Sequence, residues 1–345
     1  MKIQINTAYL EEIISNCKNG LIVSHFNPDG DAVGSIVAFY YYLKGRDIDA
    51  KLVLPSGYPD FLSFLDPKEE KIKISFFQKK EVLSLIKSAD TIFCLDFNKL
   101  SRTEDLEEEI RNSTAVKVLI DHHPVPEVEP FSMVISRTDV SSASELLFWT
   151  LMSMPDIAGN INNISIECAQ ALYVGMMTDT NNFSNSVFPS TFEMASELIG
   201  RGVDKNQLQE YVFNSYSYSR MKLMGHILKD NMYVLENQKA AYIILRDRDK
   251  KEYNFSPGDT EGFVNLPLSI KGIMVSALFT ENINEETSFI RVSLRSKGDW
   301  NVNLFANGYF NGGGHTNASG GRLYDISIEK VPEYFEKAIK EYLKK

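Results

Sequence analysis

The sequence has few cysteines, no long apolar run and no long run of basic residues. Cysteine occurs three times in 345 residues, at positions 17, 94 and 168. An odd number at such wide spacing implies neither a disulfide framework nor a zinc site of paired cysteines. The longest apolar stretches, near residues 39–43 and 146–154, are far shorter than the ~18 residues that a membrane span requires. We therefore expect a folded protein of a reducing compartment that does not span a membrane.

The chain also lacks the charged region followed by an apolar core that marks a secretory signal peptide, since it opens with Met-Lys-Ile-Gln-Ile-Asn. Together with the sparse cysteines, this predicts a cytoplasmic location.

The net charge is −10, which disfavours tight, sequence-independent binding of long nucleic-acid duplexes. Short single-stranded oligonucleotides and nucleotides need only a local cationic pocket. The net charge is therefore compatible with short oligonucleotides and nucleotides as partners.

The composition, with 43% apolar and 24% charged residues, is ordinary for a folded protein, and the length suffices for two domains. A change of pattern near residue 231 predicts a first domain over 1–204, a helical linker over 205–230 and a smaller second domain over 231–345.

In the first domain, apolar strand-like and helical segments alternate. The predicted strands are 20–24, 50–54, 90–95 and 115–120, and the predicted helices between them are 32–40, 79–88 and 102–111. This alternation predicts an α/β fold with a mostly parallel, five-stranded type of sheet and helices on both faces.

Further along the chain, helices are predicted at 141–154, 166–180, 189–201 and 204–230. The second domain then alternates in the manner of strands at 233–235, 240–245, 273–279 and 288–294, and it ends in an amphipathic helix at 328–344. This pattern predicts an α+β domain with a mixed sheet.

Acidic and imidazole groups follow three of the predicted strands. His25, Asp29 and Asp31 come after the first, Asp96 after the third, and Asp121-His122-His123 after the fourth; Asp179 ends a nearby helix. In an open α/β sheet the carboxyl ends of the strands form the ligand-binding edge. At ~4 Å and an effective dielectric of ~20, each pair of like charges there would cost about 4 kcal/mol. Divalent cations bound among these carboxylates would turn the net repulsion into net attraction.

Mixed oxygen and imidazole ligands suit Mn²⁺, with Mg²⁺, Co²⁺ or Fe²⁺ as alternatives. The candidate ligands are more numerous than one open metal site needs. A carboxylate such as Asp96 could bridge two ions ~3.5–4 Å apart, the spacing of two-metal phosphoryl-transfer sites. The alternative interpretation is structural: a solvated turn with Asp31 as the N-cap of the next helix, Asp96 at a strand end and Asp179 at a helix end.

The same residues resemble a known family. The spacing His25-x-x-x-Asp29-x-Asp31, then Asp96, Asp121-His122-His123 and Asp179, matches in order the four motifs of the DHH phosphoesterases. Ser293-Leu294-Arg295-Ser296 followed by Gly312-Gly313-Gly314-His315 is similar to the substrate-binding domain of the nanoRNase and pAp-phosphatase branch. One departure is Ser319, in a segment where relatives commonly have Ala-Ala-Gly.

The resemblance implies a role for each motif residue. Two divalent cations would be bound by six residues: His25 and Asp29 hold the first, Asp31, His122 and Asp179 the second, and Asp96 both. His123 would face the substrate, and Asp121 would orient a ligand histidine. The terminal phosphate of the substrate would be bound by Arg295, Ser296, His315 and the backbone N–H groups of Gly312, Gly313 and Gly314.

The resemblance also implies an activity: hydrolysis of short oligonucleotides, nanoRNA or linear dinucleotides such as pApA, to mononucleotides by metal-activated water. It allows a homodimer. One alternative is a monophosphatase acting mainly on pAp, and a comparison of pAp with a dinucleotide separates the two. Another is a nucleotide sensor without activity, against which the complete ligand set argues.

Overall fold

The computed structural model describes residues 3–214, 216–256, 258–283 and 288–344. The chain divides into two compact units, residues 1–215 and 216–345. None of the helices in these described ranges has the length and apolar character needed to cross a membrane.

The first unit is an α/β unit. Its strands are β1 (Asn19–Val23), β2 (Asp49–Leu54), β3 (Lys73–Ile74), β4 (Thr91–Leu95), β5 (Val116–Asp121) and β6 (Met133–Ser136). Its helices are α1 (Ala8–Asn16), α2 (Gly30–Lys44), α3 (Ser75–Ser88), α4 (Glu107–Asn112), α5 (Ala143–Met152), α6 (Ile166–Asp179), α7 (Pro189–Arg201) and α8 (Lys205–Phe213).

The strands form one sheet in the order β3-β2-β1-β4-β5-β6, and every neighbouring pair is parallel. The predicted α/β class is confirmed, but the sheet has six strands rather than five. Strand β3 has only two residues and β6 only four, so neither is long enough to give a clear strand pattern in the sequence. The strand order reverses between β1 and β4, and ligands of open α/β sheets bind in the crevice outside the carboxyl ends at such a point.

Helices α2 and α6 pack against each other with glycine between them. A Cβ atom built on Gly34 of α2 would lie 2.7 Å from the carbonyl oxygen of Ala171 and 2.8 Å from the nitrogen of Gly175. A Cβ atom on Gly30 would lie 2.3 Å from Oγ1 of Thr178. The two helix backbones therefore approach more closely than any other residue type would allow at these positions.

The second unit has a mixed sheet, as predicted. Its strands are β7 (Met232–Leu235), β8 (Ala240–Leu245), β9 (Val275–Ile283), β10 (Ser288–Ser296), β11 (Gly313–Gly314) and β12 (Ala318–Leu323). Its helices are α9 (Tyr218–Asp230), α10 (Asp247–Glu252), α11 (Val302–Tyr309) and α12 (Val331–Tyr342). The order is β11-β12-β10-β9-β8-β7, with β8 and β9 parallel and the other pairs antiparallel.

The core of the second unit is aromatic on one face of this sheet. Phe279 of β9 lies against Phe310 and Phe335, with ring centroids 6.0 and 5.4 Å away. All three rings are fully buried. This packing fixes the face of β10 that carries Val292 and Leu294, so its other face carries the residues between them.

The helical stretch predicted over 204–230 is two helices, α8 and α9. The division between the units falls within it, so that α8 belongs to the first unit and α9 to the second. Ser217 caps α9 by accepting the backbone N–H of Arg220 at 3.0 Å. A serine at this place starts a new helix rather than continuing the old one.

Candidate active site

The loop after β1 holds His25 beside the carboxyl edge of the sheet. His25 is buried, and its Nδ1 lies 2.9 Å from the carbonyl oxygen of Phe26. A carbonyl only accepts, so Nδ1 carries the proton and Nε2 offers a lone pair. Nε2 lies 3.4 Å from Oδ2 of Asp96. Burial lowers the pKa of His25, which keeps the ring neutral and fit to bind a cation.

The two carboxylates of this loop are held by helix N-termini. Asp29 is the N-cap of α2, and its Oδ1 accepts the N–H groups of Asp31 and Ala32 at 3.0 and 3.1 Å. Asp31 is not the cap: it is buried in the first turn and accepts the N–H groups of Ala143 and Ser144, which begin α5, at 2.6 and 2.9 Å. The positive ends of α2 and α5 thus stabilise both negative charges.

Asp96 lies at the centre of the site. It follows β4 with a left-handed backbone, φ +64°, and its N–H donates to the carbonyl of Ile120 at 3.1 Å. Aspartate tolerates this conformation better than most residues. One carboxylate oxygen faces Nε2 of His25 and the other faces Nε2 of His122 at 3.6 Å. A single carboxylate is therefore shared between two imidazoles.

His122 connects Asp96 to the remaining ligand candidates. Its Nε2 lies 3.7 Å from Oδ2 of Asp179 and 3.9 Å from Oδ2 of Asp31. A hydrogen bond with the backbone of Val140 raises the pKa of His122, but burial outweighs it and lowers the pKa overall. Asp179 is the last residue of α6, where the helix dipole disfavours an anion. A cation beside it would remove that penalty.

Asp96 belongs to three groups, and within each group the ligand atoms lie within 4.8 Å of one another. Besides Asp96, the first contains His25 and Asp29, the second contains Asp31 and His122, and the third contains Asp121 and His123. Burial raises the pKa of Asp31 to about 7, and burial with four neighbouring aspartates raises that of Asp96 well above its ordinary value. Carboxylates that ionise so reluctantly, beside neutral imidazoles, are a donor set that fits divalent cations.

Asp121 orients one particular histidine. Its carboxylate, fully buried at the end of β5, lies 2.7 Å from Nδ1 of His123 and accepts the backbone N–H of His123 at 3.0 Å. Burial raises the pKa of Asp121 to about 6. Because Nδ1 of His123 faces Asp121, Nε2 faces away from Asp121. The residue that Asp121 holds is thus the histidine expected to face the substrate.

Arg102 was not singled out from the sequence, where it looked like part of an exposed acidic helix. It lies instead in a 3₁₀ segment, Leu100–Leu106, and its carbonyl accepts the N–H of Phe26 at 2.8 Å. Its charge lowers the pKa of His25 and of His123, although burial contributes more in both cases. The charge of this exposed arginine therefore acts on both histidines, and the sequence signal for it was an arginine six positions after Asp96.

In the second unit, Arg295 and Ser296 occupy successive positions of β10. Arg295 is half-buried, and its Nη1 donates to the carbonyl of Leu294 at 3.0 Å. The hydroxyl of Ser296 donates to the carbonyl of Trp300 at 2.5 Å and accepts from Nδ2 of Asn317 at 2.9 Å. Because side chains alternate along a strand, the two residues point to opposite faces of the sheet.

The glycine-rich motif forms an edge hairpin. Gly313 and Gly314 pair with Gly320 and Ser319 of β12. Gly314 has φ +149°, and its N–H donates to Oδ1 of Asn303 at 3.0 Å. A Cβ atom on Gly312 would lie 1.9 Å from the carbonyl oxygen of Gly320, so only glycine fits there. Strand β12 lies between β11, which holds Gly313 and Gly314, and β10, which holds Arg295.

Ser319 and His315 close the hairpin. The N–H of His315 donates to the carbonyl of Ala318 at 2.7 Å, and the hydroxyl of Ser319 donates to the carbonyl of His315 at 2.8 Å. The serine that departs from the common pattern therefore has an intramolecular role.

Two families of known domains match the chain. A model of the DHH family, N-terminal domain, matches residues 19–176, and a model of the DHHA1 domain matches residues 237–345.

Among characterised proteins, the chain is similar to the bifunctional oligoribonuclease and PAP phosphatase NrnA of Thermus thermophilus. The identity is 27% and covers 93% of this chain and 89% of that protein. The enzyme of the same name from Bacillus subtilis is 28% identical over 87% of this chain and 88% of that protein. A crystal structure of an exopolyphosphatase-related protein from Bacteroides fragilis is 36% identical with a TM-score of 0.88, over 97% of this chain and 95% of that chain.

Proposed function

Since the chain belongs to the DHH family of phosphoesterases, we propose that it hydrolyses short oligonucleotides, such as nanoRNA and the linear dinucleotide pApA, to mononucleotides with the help of two divalent cations. The substrate class is taken from the two relatives named as oligoribonucleases, which match over most of the chain.

One observation carries the proposal: the carboxylate of Asp96 belongs both to the group of His25 and Asp29 and to the group of Asp31 and His122. We assign His25 and Asp29 to one ion, Asp31, His122 and Asp179 to the other, and Asp96 to both. Divalent cations held by these residues would lower the pKa of a water molecule and would neutralise the phosphate oxygens of the substrate. Among the ions that suit this donor set we propose Mn²⁺.

The histidines have distinct tasks in this proposal. His25 directs its unprotonated Nε2 inward because Phe26 accepts its Nδ1–H. The hydrogen bond between Asp121 and Nδ1 of His123 places any second proton of that ring on Nε2. We assign to His123 the delivery of this proton to the leaving oxygen, because a carboxylate partner stabilises the imidazolium that must form.

We assign two arginines, Arg102 and Arg295, to different phosphates of the substrate. The charge of Arg102 acts on His25 and His123, and we assign it to the phosphate that is cleaved. We assign Arg295, His315 and Gly312–Gly314 to the terminal phosphate of the substrate. Ser296 is left out of this assignment, because its side chain lies on the opposite face of β10 and its hydroxyl already bonds to Trp300. Among the assigned groups, Arg295 supplies the charge, since the N–H of Gly314 already has an intramolecular partner.

A second candidate activity is the removal of a phosphate from pAp. Both oligoribonuclease relatives are named as PAP phosphatases as well. The same metal ligands would serve both reactions, because each breaks a phosphoester bond. A cytoplasmic location is also part of this proposal, and the three cysteines, which are buried free thiols, agree with a reducing compartment.

The test is a substrate panel with enzyme that has been treated with chelator and then restored with single metals. The panel contains pApA, a five-nucleotide RNA, pAp and inorganic polyphosphate, and the products are separated by chromatography. We expect mononucleotide release from pApA and RNA with Mn²⁺ and none in chelator. Release from pAp alone would favour the second candidate, and release from polyphosphate alone would contradict both.

A further inference from the structure

Two adjacent phenylalanine rings project into solvent near the candidate active site. Phe76 and Phe77, at the start of α3, are 75% and 73% exposed. Their ring centroids lie 5.2 Å apart at an interplanar angle of 90°. Large apolar side chains with such exposure are unusual in pairs and mark interaction surfaces.

This pair lies within a locally basic stretch of an acidic protein. Residues 71–80 contain no acidic residue and four lysines, Lys71, Lys73, Lys79 and Lys80. Lys73 and Lys79 form ion pairs with Glu81 and Asp105 at 3.0 and 3.2 Å, whereas Lys71 and Lys80 are exposed. Positive charge interleaved with aromatic rings is the pattern that binds single-stranded nucleic acid.

The two rings lie at the same edge of the sheet as the loop that carries His25, Asp29 and Asp31. They directly follow β3, at the same carboxyl edge of the sheet that carries His25, Asp96 and His122. Strand β3 is separated from β1 by β2 alone, and two strand spacings are about 10 Å. The rings are therefore near enough to reach a substrate whose phosphate is at the metal ligands.

Two routes of hydrogen bonds link the pair to that loop. The N–H of Phe76 donates to the carbonyl of Pro55 at 3.2 Å, and the next residue, Ser56, accepts the N–H of Asn27 at 2.7 Å.

On the second route, the hydroxyl of Ser75 donates to Asp105 at 3.1 Å. Asp105 belongs to the 3₁₀ segment of Arg102, whose carbonyl binds the N–H of Phe26. The segment that carries the pair is thus joined by hydrogen bonds to the segment that carries Arg102.

We propose that residues 71–80, which we call the aromatic platform, bind the part of a single-stranded oligonucleotide that lies beyond the cleaved phosphodiester. The rings of Phe76 and Phe77 stack on its bases, and Lys71 and Lys80 contact its phosphates. Every base has a π-face, so such a platform accepts any sequence. The platform rests on the proposed function, because its ligand is the substrate of that reaction.

The first test measures binding without hydrolysis. In chelator, fluorescence anisotropy gives the affinity of the full-length protein for a labelled five-nucleotide RNA. We expect the double variant Phe76→Ala/Phe77→Ala to bind at least about fivefold more weakly, the lower limit of what the stacking of one base contributes. The variant Phe76→Trp/Phe77→Trp retains the stacking faces and should retain the affinity.

The control is Phe192→Ala, which removes a ring that is 54% exposed on α7 of the same unit and which should leave the affinity unchanged. An unchanged affinity of the double alanine variant would overturn the platform. So would an equal loss in the tryptophan variant, or a change from dimer to monomer on gel filtration without loss of affinity, which would identify a self-association surface instead.

The second test separates this inference from the proposed function. In a metal-restored assay, the double alanine variant should raise the KM for the five-nucleotide RNA relative to the KM for pAp by at least about fivefold. If the wild-type protein hydrolyses neither substrate, the proposed function fails, and the binding measurement in chelator still decides the platform.

The lysines give an independent readout. In Lys71→Gln/Lys80→Gln, the slope of log affinity against log salt concentration should fall by about 1.4, because each phosphate contact on a single strand contributes about 0.7. An unchanged slope would remove the lysines from the platform.

Discussion

The carboxyl edge of the first sheet and the glycine-rich edge of the second use polar groups in different ways. At the first edge, the buried carboxylates of Asp31 and Asp96 and the exposed carboxylate of Asp179 face two buried imidazoles across 3.4–3.9 Å. Backbone groups fix the Asp31 carboxylate and the ring of His25. At the second edge, Arg295 is half-buried, and the hydroxyls of Ser296 and Ser319 are bonded within the unit. We infer that changes at the first edge abolish activity, whereas changes at the second adjust affinity.

The largest effect is expected from Asp96→Asn. The amide keeps the shape of the side chain but loses the charge that we assign to both ions, so kcat should fall by at least ~10³-fold, more than the loss of a residue that only orients a ligand. In chelator the melting temperature should stay or rise, because an unfavourable buried charge is removed. Steady-state kinetics with Mn²⁺ and thermal unfolding measure the two.

The control for this variant is Asp139→Asn, an exposed carboxylate of the same unit that pairs with Arg137. It should leave both quantities unchanged. Wild-type turnover of Asp96→Asn would refute the shared carboxylate.

Asp121→Asn should have the next largest effect. Asparagine can accept only one of the two hydrogen bonds that His123 donates to Asp121, and it does not stabilise an imidazolium. We expect kcat to fall ~10- to 100-fold with little change in KM. A pH profile of kcat distinguishes orientation of His123, which moves a limb of the profile, from a general structural effect, which lowers it uniformly.

On the second edge, Arg295→Ala should raise the KM for an oligonucleotide ~10- to 100-fold, the value of a charge-assisted hydrogen bond to phosphate, with kcat largely retained. The KM of Arg295→Lys should lie between those of the wild type and Arg295→Ala, because lysine offers the charge without the planar guanidinium group. The exposed Arg248 provides the control variant Arg248→Ala. A collapse of kcat with unchanged KM would break the distinction between the two edges.

The stabilising effect of Mn²⁺ should increase with pH. Burial raises the pKa of Asp31 to about 7, so in the folded, chelated protein this carboxyl keeps its proton to near neutrality, whereas in the unfolded chain it ionises near pH 4. Its contribution to the free energy of unfolding is present below pH 4 and is lost as the pH rises through 7. Ion binding requires the ionised carboxylate, so the affinity for the ion increases over the same pH range.

The measurement is the difference in melting temperature with Mn²⁺ and with chelator. It should grow between pH 6 and pH 8, and each kcal/mol of difference corresponds to ~2–4 °C in a chain of this size. A difference that is constant with pH would mean that Asp31 does not bind the ion.

The smallest effect is expected from Ser319→Ala. It removes the hydrogen bond to the carbonyl of His315, which is worth ~0.5–1.5 kcal/mol. The free energy of unfolding of the second unit should fall by that amount in denaturant titration, and the KM should change by less than ~3-fold. A larger change in KM would show that the hydroxyl contacts substrate.

The positions of the candidate ligands at the sheet edge could be predicted from the sequence, whereas the orientations of their side chains could not. Alternating strands and helices place Asp96 and His122 at the same sheet edge, because parallel strands end together. Which imidazole Asp121 holds depends on a side-chain rotamer, and sequence order does not contain it. Arg102 and the aromatic platform were missed for another reason: an exposed arginine and an exposed phenylalanine pair acquire meaning only from what lies beside them.

The second unit shows a similar division. Strand β8 is a continuous apolar run and β10 alternates between apolar and polar residues, and both were predicted closely. Strand β12, with Gly320 and Gly321 at its centre, has little side-chain signal, and its pairing with β10 is a tertiary contact. The predicted strand ended at residue 294, whereas β10 runs to Ser296, so the opposite directions of Arg295 and Ser296 became apparent only when the structure extended the strand over both residues.

The glycines of α2 and α6 lie close to two carboxylates that we assign to one ion. Asp31 is on α2 and Asp179 ends α6, and both face Nε2 of His122. A Cβ atom on Gly175 would lie 1.9 Å from Oγ of Ser144 and 2.8 Å from Oδ1 of Asp31. A methyl group at Gly175 would therefore displace the carboxylate of Asp31, and one at Gly34 would push the two helix backbones apart, so we infer that either change would weaken the ion site without altering any ligand residue.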